Sequence, residues 1–208
     1  MMVMLNRDKI RRVVVSLDWG FTNPGALQAW AVDGDGRMYL ISETYHAGKL
    51  MEWWIERGRT VYTAYRPEVF VCDPSEPAFI QQFVNAGLPA IAAFNSISLG
   101  IQAVQARLKP AADGKPRLFL SSEALIERDE DMAALLKPVC LQQEMLSYTW
   151  PKGVDGRVVK EIPVDIDNHA QDAMRYAVAY VDRLADEKGK APPAYTGGRI
   201  LVGGGRKR

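Results

Sequence analysis

The run Arg12-Val13-Val14-Val15-Ser16-Leu17-Asp18-Trp19-Gly20 decides the fold. A short, almost continuous apolar stretch that ends at an acid and a turn fits a central strand covered on both faces. Two more extended runs follow, residues 26–32 and 37–43, on either side of Asp33-Gly34-Asp35-Gly36. Asp-Gly between such runs signals a hairpin, because glycine accepts the positive φ that a tight turn requires. The chain therefore opens as three antiparallel strands, the first two linked across residues 21–25.

Working outward, Leu50, Trp53, Trp54, Val61 and Tyr65 recur at mostly helical spacing over residues 49–65, with Gly58 as a weak point. Val69-Phe70-Val71-Cys72 is a second buried strand and stops at Asp73-Pro74. A helix over about 76–86, closed by Gly87, leads to a strand at 90–93. Residues 98–108 and 123–136 read as helices separated by a strand-like segment at 117–120. Val154-Asp155-Gly156-Arg157 marks another hairpin within residues 148–163. Ala170, Ala173, Met174, Ala177, Val178, Val181 and Leu184 form an apolar stripe on a last helix.

Such alternation implies parallel neighbours in the second half. The expectation is an α/β fold with a mixed sheet of five to six strands, the first three antiparallel. Helices lie on both faces, and a β-hairpin is accessory. Residues 12–186 read as one domain, with residues 1–11 as an N-terminal extension and 187–208 as a flexible basic tail.

Lys plus Arg number 26 and Asp plus Glu 25, so the net charge of +1 neither favours nor excludes a nucleic-acid partner. Cys72 and Cys140 lie in or beside apolar runs and read as buried thiols, not as a disulfide or a zinc site. No apolar stretch reaches the length that spans a bilayer, and the start lacks the order of a signal peptide. A cytoplasmic protein without membrane contact is expected.

Asp18 and Asp73 each end a hydrophobic strand, at the edge where α/β sheets bind ligands. On neighbouring strands the two carboxylates would face one another, which is unfavourable unless a cation lies between them. Mg²⁺ or Mn²⁺, with their preference for oxygen, would remove that penalty. Either acid alone is also explained as a turn or helix cap.

The third element is Asp167-Asn168-His169-Ala170-Gln171-Asp172-Ala173-Met174-Arg175-Tyr176. Asn168 or Asp167 is a natural N-cap, and His169 and Asp172, three apart, share one side of the first turn. Alone, an acid there merely opposes the helix dipole. With Asp18 and Asp73 it completes a ligand set for two divalent ions that hydrolyse a phosphodiester. Asp167 is either the cap or an additional acid at the second metal. Glu43, at the end of the third strand, is a weaker candidate.

Three segments, residues 16–24, Val71-Cys72-Asp73-Pro74 and residues 167–176, resemble in order the C-terminal nuclease domain of the tailed-bacteriophage terminase large subunit. The last segment is the most specific, close to Asn-His-x-x-Asp-Ala-x-Arg-Tyr. The resemblance spans about residues 12–182 and implies an RNase H-like (RuvC-like) nuclease that cuts concatemeric double-stranded DNA during genome packaging. Asp18, Asp73 and Asp172 would bind the metal, with His169 beside them, and the hairpin at 154–159 would match an accessory hairpin near the cleft. Partners implied are the terminase ATPase domain, the portal protein and the small terminase subunit, in the host cytoplasm at the procapsid portal. The chain lacks a Gly-x-x-x-x-Gly-Lys-Ser/Thr loop, so an excised cutting domain without its motor is expected.

Lys152, Arg157 and Lys160 around the second hairpin are the best candidates for phosphate contacts, ahead of the scattered Arg107, Lys109, Lys115 and Arg117. Trp19, Trp53, Trp54 and Tyr176 read as core. Two rival functions stand beside the nuclease. One is an actin-like or sugar-kinase-type phosphotransferase, to whose Asp-x-Gly phosphate loop Asp18-Trp19-Gly20 bears a superficial likeness. The other is a non-catalytic DNA- or portal-docking module.

Overall fold

The computed structural model describes residues 2–147, 149 and 166–183. Its strands are β1 (Met2–Val3), β2 (Ile10–Asp18), β3 (Gly25–Asp33), β4 (Met38–His46), β5 (Val69–Cys72), β6 (Ala90–Ala92) and β7 (Leu118–Arg128). Its helices are α1 (Met51–Tyr65), α2 (Pro77–Asn85), α3 (Ile97–Leu108), α4 (Glu130–Ala134), α5 (Leu141–Ser147) and α6 (His169–Val181). All strands join one sheet in the order β1-β7-β4-β3-β2-β5-β6. The β2–β3 and β3–β4 pairs are antiparallel, whereas β2–β5, β5–β6 and β4–β7 are parallel. The expected mixed sheet with an antiparallel opening is present, and β1 adds a two-residue edge to six longer strands.

Strand periodicity sorts the core into two layers. Val14 of β2, Ala26 and Trp30 of β3, and Val69 and Val71 of β5 pack against Ala170, Ala173, Ala177 and Val178 of α6. Val15, Leu17, Leu27, Ala29, Phe70 and Cys72 face the other way, onto Trp54 and Val61 of α1 and Phe83 of α2. The same parity decides where the acids go. Asp18 follows Val14 and Ser16 in step of two, and Asp73 follows Val69 and Val71, so both fall on the α6 side.

Two local readings change. The segment expected as a helix at 123–136 continues β7 to Arg128, and only Glu130–Ala134 is helical. The register against β4 jumps from Leu40↔Leu120 to Ser42↔Leu125, so residues 121–124 bulge out before pairing resumes. Pairing with a buried strand outweighs the helix propensity of Glu123-Ala124-Leu125. Gly58 is no weak point either. A Cβ there would meet Leu88 at 2.8 Å and Phe83 at 3.0 Å, so its absence lets α1 lie close on the α2 layer.

Cys72 and Cys140 are free and buried. Among the described residues no helix is long and apolar enough to cross a membrane. The hairpin expected within 148–163 and the tail at 187–208 lie outside the described residues.

Candidate active site

The C-terminal ends of β2 and β5 are adjacent, and two bonds fasten them beyond the ladder. The Asp73 backbone N–H donates to the Leu17 carbonyl at 2.8 Å, and the Trp19 indole N–H donates to the Asp73 carbonyl at 2.9 Å. The turn after Asp18 is equally tight. A Cβ on Gly20 would collide with the backbone of Asn23 and Pro24, so only glycine fits. The glycine that could suggest a phosphate loop is therefore explained by the chain's own return into β3.

Asp18 and Asp73 are both nearly buried. The Tyr176 hydroxyl of α6 stands 3.5 Å from Oδ1 of each, which brings the two carboxylates to one point. Asp73 is held further by the Ser75 backbone N–H at 3.1 Å and the Ser75 hydroxyl at 2.5 Å. His169, at the start of α6, places Nδ1 3.0 Å from Asp18 Oδ2. Asp172, one turn along α6, accepts at Oδ1 from Arg175 Nε and Nη2 at 3.1 and 2.9 Å. The buried Arg175 also donates to Asn95 Oδ1, and its Cγ and Cδ fill the place that a Cβ on Gly100 would take. Gly100 on α3 is thus the space that Arg175 occupies.

Electrostatics reflect this crowding. Burial pushes the Asp18 carboxyl up to about 6; the hydrogen bond from His169 opposes that rise, and the Asp172 and Asp73 charges add to it. Burial disfavours the His169 imidazolium, yet the bond and charge of Asp18 together with the charges of Glu144 and Asp172 outweigh burial, and its pKa is raised. Burial, with the three aspartates around it, pushes Tyr176 far above its ordinary value, so its hydroxyl keeps its proton.

A set of carboxylate oxygens with one imidazole suits a hard divalent cation. Asp18 and Asp73 supply such oxygens from adjoining strand ends, each with Oδ1 3.5 Å from the same hydroxyl. Among the described residues no three acidic, imidazole or thiol groups are placed to hold a metal ion together, and Asp172 is engaged by Arg175.

The remaining predicted residues are scattered. Asp167 precedes the α6 cap, which is Asn168, and takes a left-handed φ of 49°. Lys152, Arg157 and Lys160 lie outside the described residues. Arg107 is buried and grips Asp182 and the Gly36 carbonyl, a structural role that removes it from any DNA-contact set. Trp19, Trp54 and Tyr176 are core, while Trp53 is half-buried beneath Lys49 and Arg57.

Glu43 does not reach the aspartates. It is buried on β4, where its carboxylate accepts from Gln28 Nε2 and from the Leu141 N–H. Glu144 is not singled out by the sequence. It is wholly buried, accepting from the Tyr45 hydroxyl at 2.7 Å and the Gln171 N–H at 2.9 Å. No local motif marks it, because its importance comes from where α5 meets α6.

No protein-family model matches the sequence, and no curated protein matches it. Solved structures do resemble it. The large terminase of a thermophilic bacteriophage superposes with a TM-score of 0.66 at 20% identity, covering 86% of this chain and 42% of that one. The nuclease domain of the P22 large terminase gives 0.59 at 16% identity, covering 88% and 86%. The large terminase nuclease domain of bacteriophage SPP1, solved with bound Mn, gives 0.57 at 19% identity, covering 84% and 90%. The chain therefore spans less than half the length of the thermophilic phage's terminase and nearly matches isolated nuclease domains. Its fold is the RNase H-like fold of large terminase nuclease domains.

Proposed function

We propose that this chain is a metal-dependent endonuclease domain of a phage DNA-packaging terminase, cutting double-stranded DNA. The observation that carries the reading is the meeting of Asp18 and Asp73 at one Tyr176 hydroxyl, with His169 and Asp172 presented by the same helix. The resemblance of the fold to terminase nuclease domains, one of them solved with bound Mn, supports it. Asp18, Asp73 and Asp172 would hold Mg²⁺ or Mn²⁺, which in a two-ion site activates a water and stabilises the leaving oxygen of a phosphodiester.

The chain's own residues prepare that chemistry. At neutral pH the Asp18 carboxyl has lost its proton, so His169 Nδ1 donates to Oδ2 and fixes the carboxylate's rotation. Tyr176 keeps its proton and faces Oδ1 of both strand-end acids. Arg175 offsets the charge of Asp172 and holds it on the α6 face.

A packaging role carries further partners: an ATPase domain in the same polypeptide, the portal, the small subunit, and a site of action at the procapsid in the host cytoplasm. The test is nicking of supercoiled plasmid by the purified chain. Cutting is expected with Mn²⁺ or Mg²⁺, none with EDTA, and none with Asp18→Ala. ATP binding without cutting would replace this reading with the phosphotransferase. Duplex binding without cutting under any divalent ion would leave a docking module.

A further inference from the structure

Helix α6 delivers His169, Asp172 and Tyr176, so whatever fixes its first turn also sets the site. Its N-cap residue, Asn168, makes no side-chain capping bond. The orphan N–H groups of that turn are met from elsewhere: the Gln171 N–H donates to Glu144 Oε2 at 2.9 Å. Glu144 belongs to α5, whose own first N–H, at Leu141, donates to both oxygens of Glu43 on β4. Gln28 of β3 ties the two levels together, donating to Glu43 at 2.8 Å and to the Ala170 carbonyl at 3.0 Å. A strand carboxylate caps α5, and the carboxylate on α5 caps α6.

Stability alone does not explain this arrangement. Glu43 and Glu144 are at most 1% exposed, and neither has a Lys or Arg within salt-bridge distance among the described residues. Burying carboxyl groups is costly, and burial pushes both up to about 7; an apolar pair of similar volume would serve packing as well or better. What carboxylates supply is direction. Every bond recorded to Glu144 comes from a donor, the Tyr45 hydroxyl on one oxygen and a helix N–H on the other. That pattern defines the rotation and height of the α6 first turn over the sheet. Two residues before Gln171 is His169, and one after it is Asp172.

On the reading of the site given above, we infer that Glu144 is a positioning residue: through the α6 backbone it sets His169 and Asp172 against Asp18. It touches none of the reacting groups.

The experiment compares wild type with Glu144→Gln by Mn²⁺ calorimetry and by imidazole ¹⁵N resonances of the metal-free protein. The chain has two histidines, so His46, held between Glu127 and Asp129, is an internal reference. Glutamine keeps the volume but turns one acceptor into a donor, which either reverses the bond with the Tyr45 hydroxyl or breaks the one from the Gln171 N–H. The expected result is Mn²⁺ affinity weakened about tenfold, the loss typical of disturbing the supports of metal ligands, and a displaced His169 signal with His46 unmoved. Unchanged affinity together with an unchanged His169 signal overturns the inference. If Glu144→Gln does not fold, Tyr45→Phe, which removes one donor from the same carboxylate, is read by the same two measurements and the same criteria. Wild type that binds no Mn²⁺ refutes the metal reading instead, and the His169 signal of Tyr45→Phe, which leaves the Glu144 carboxyl and its charge in place, then decides for or against positioning.

Discussion

His169 Nδ1 stands 3.0 Å from Asp18 Oδ2, joining the first turn of α6 to the last residue of β2 across 151 positions of chain. The contact makes the site's protonation and its geometry a single matter, and pH is the first lever on it.

The Asp18 carboxyl titrates near 6 in the folded protein against an ordinary 3.8. Between those values the fold keeps a proton that the unfolded chain has released, so metal-free stability falls as pH rises through that window. The displacement is worth up to roughly 3 kcal/mol. His169 acts in the same direction: its raised pKa adds stability below its ordinary 6.5 that is lost as pH climbs through the raised value. In EDTA the melting temperature should therefore be higher at pH 5 than at pH 8, and Asp18→Asn should lessen the difference, the remainder coming from Glu43 and Glu144, which burial pushes up to about 7. Mn²⁺ needs the ionised acid and should reverse the trend. A pH-independent melting curve in EDTA that Asp18→Asn leaves unaltered would contradict this account.

Asp73 has two duties, separable by substitution. Its carboxylate faces Asp18, and it also organises the loop into α2 through the Ser75 N–H and hydroxyl. Asp73→Asn keeps an acceptor for the loop and should abolish nicking with a melting temperature within a few degrees of wild type. Asp73→Ala should also abolish it while losing about 1–2 kcal/mol, the cost of two broken bonds. Denaturant titration of both variants distinguishes the two duties.

Gly100→Ala is a test from the opposite side of α6. The new methyl would collide with Arg175 Cγ and lie 2.6 Å from its Cδ, in the middle of that side chain and not at a movable end. Arg175 must shift and release Asp172 or Asn95. Destabilisation of about 1–3 kcal/mol is expected, with weaker Mn²⁺ binding although the substitution touches no acid. Calorimetry at matched folded fraction would detect it.

Gly58→Ala should destabilise even though alanine favours helix by up to about 1 kcal/mol. The methyl would press on Leu88 and on the fully buried Phe83 ring, which also packs against Trp19 and Phe70. A net loss of about 1–2 kcal/mol by urea midpoint is expected. A gain would mean that α1 can lift from the α2 layer at no cost.

The opening strands, the Asp33–Gly36 turn and the α6 stripe are legible in the sequence because each follows from local periodicity or turn chemistry. Asp18, Asp73 and Asp172 are legible as residues at strand ends and in a first helical turn. Their common face emerges only in the structure, although Val14-x-Ser16-x-Asp18 and Val69-x-Val71-x-Asp73 carry it as a period of two. The extension of β7 escapes the sequence because residues 125–128 pair with β4, a partner some eighty positions away, and Glu-Ala-Leu reads locally as helix. Glu144 is beyond sequence reading for the same reason: a glutamate in a short polar helix looks solvated until Tyr45 and Gln171 close over it. Arg175 and Tyr176, read as part of a motif or as core, are both, since the ring that fills the core also carries the hydroxyl between the acids.

The bond from Tyr176 back to Asp18 spans 158 residues. During synthesis Asp18 and Asp73 leave the ribosome long before α6 exists, and the parallel β2–β5 pairing must wait for the crossover through α1. Long-range closures of this kind come late and slowly in folding. A polypeptide without α6 would therefore carry Asp18 and Asp73 but neither His169, Asp172 nor Tyr176, and on the function proposed above its site would be assembled only when α6 docks.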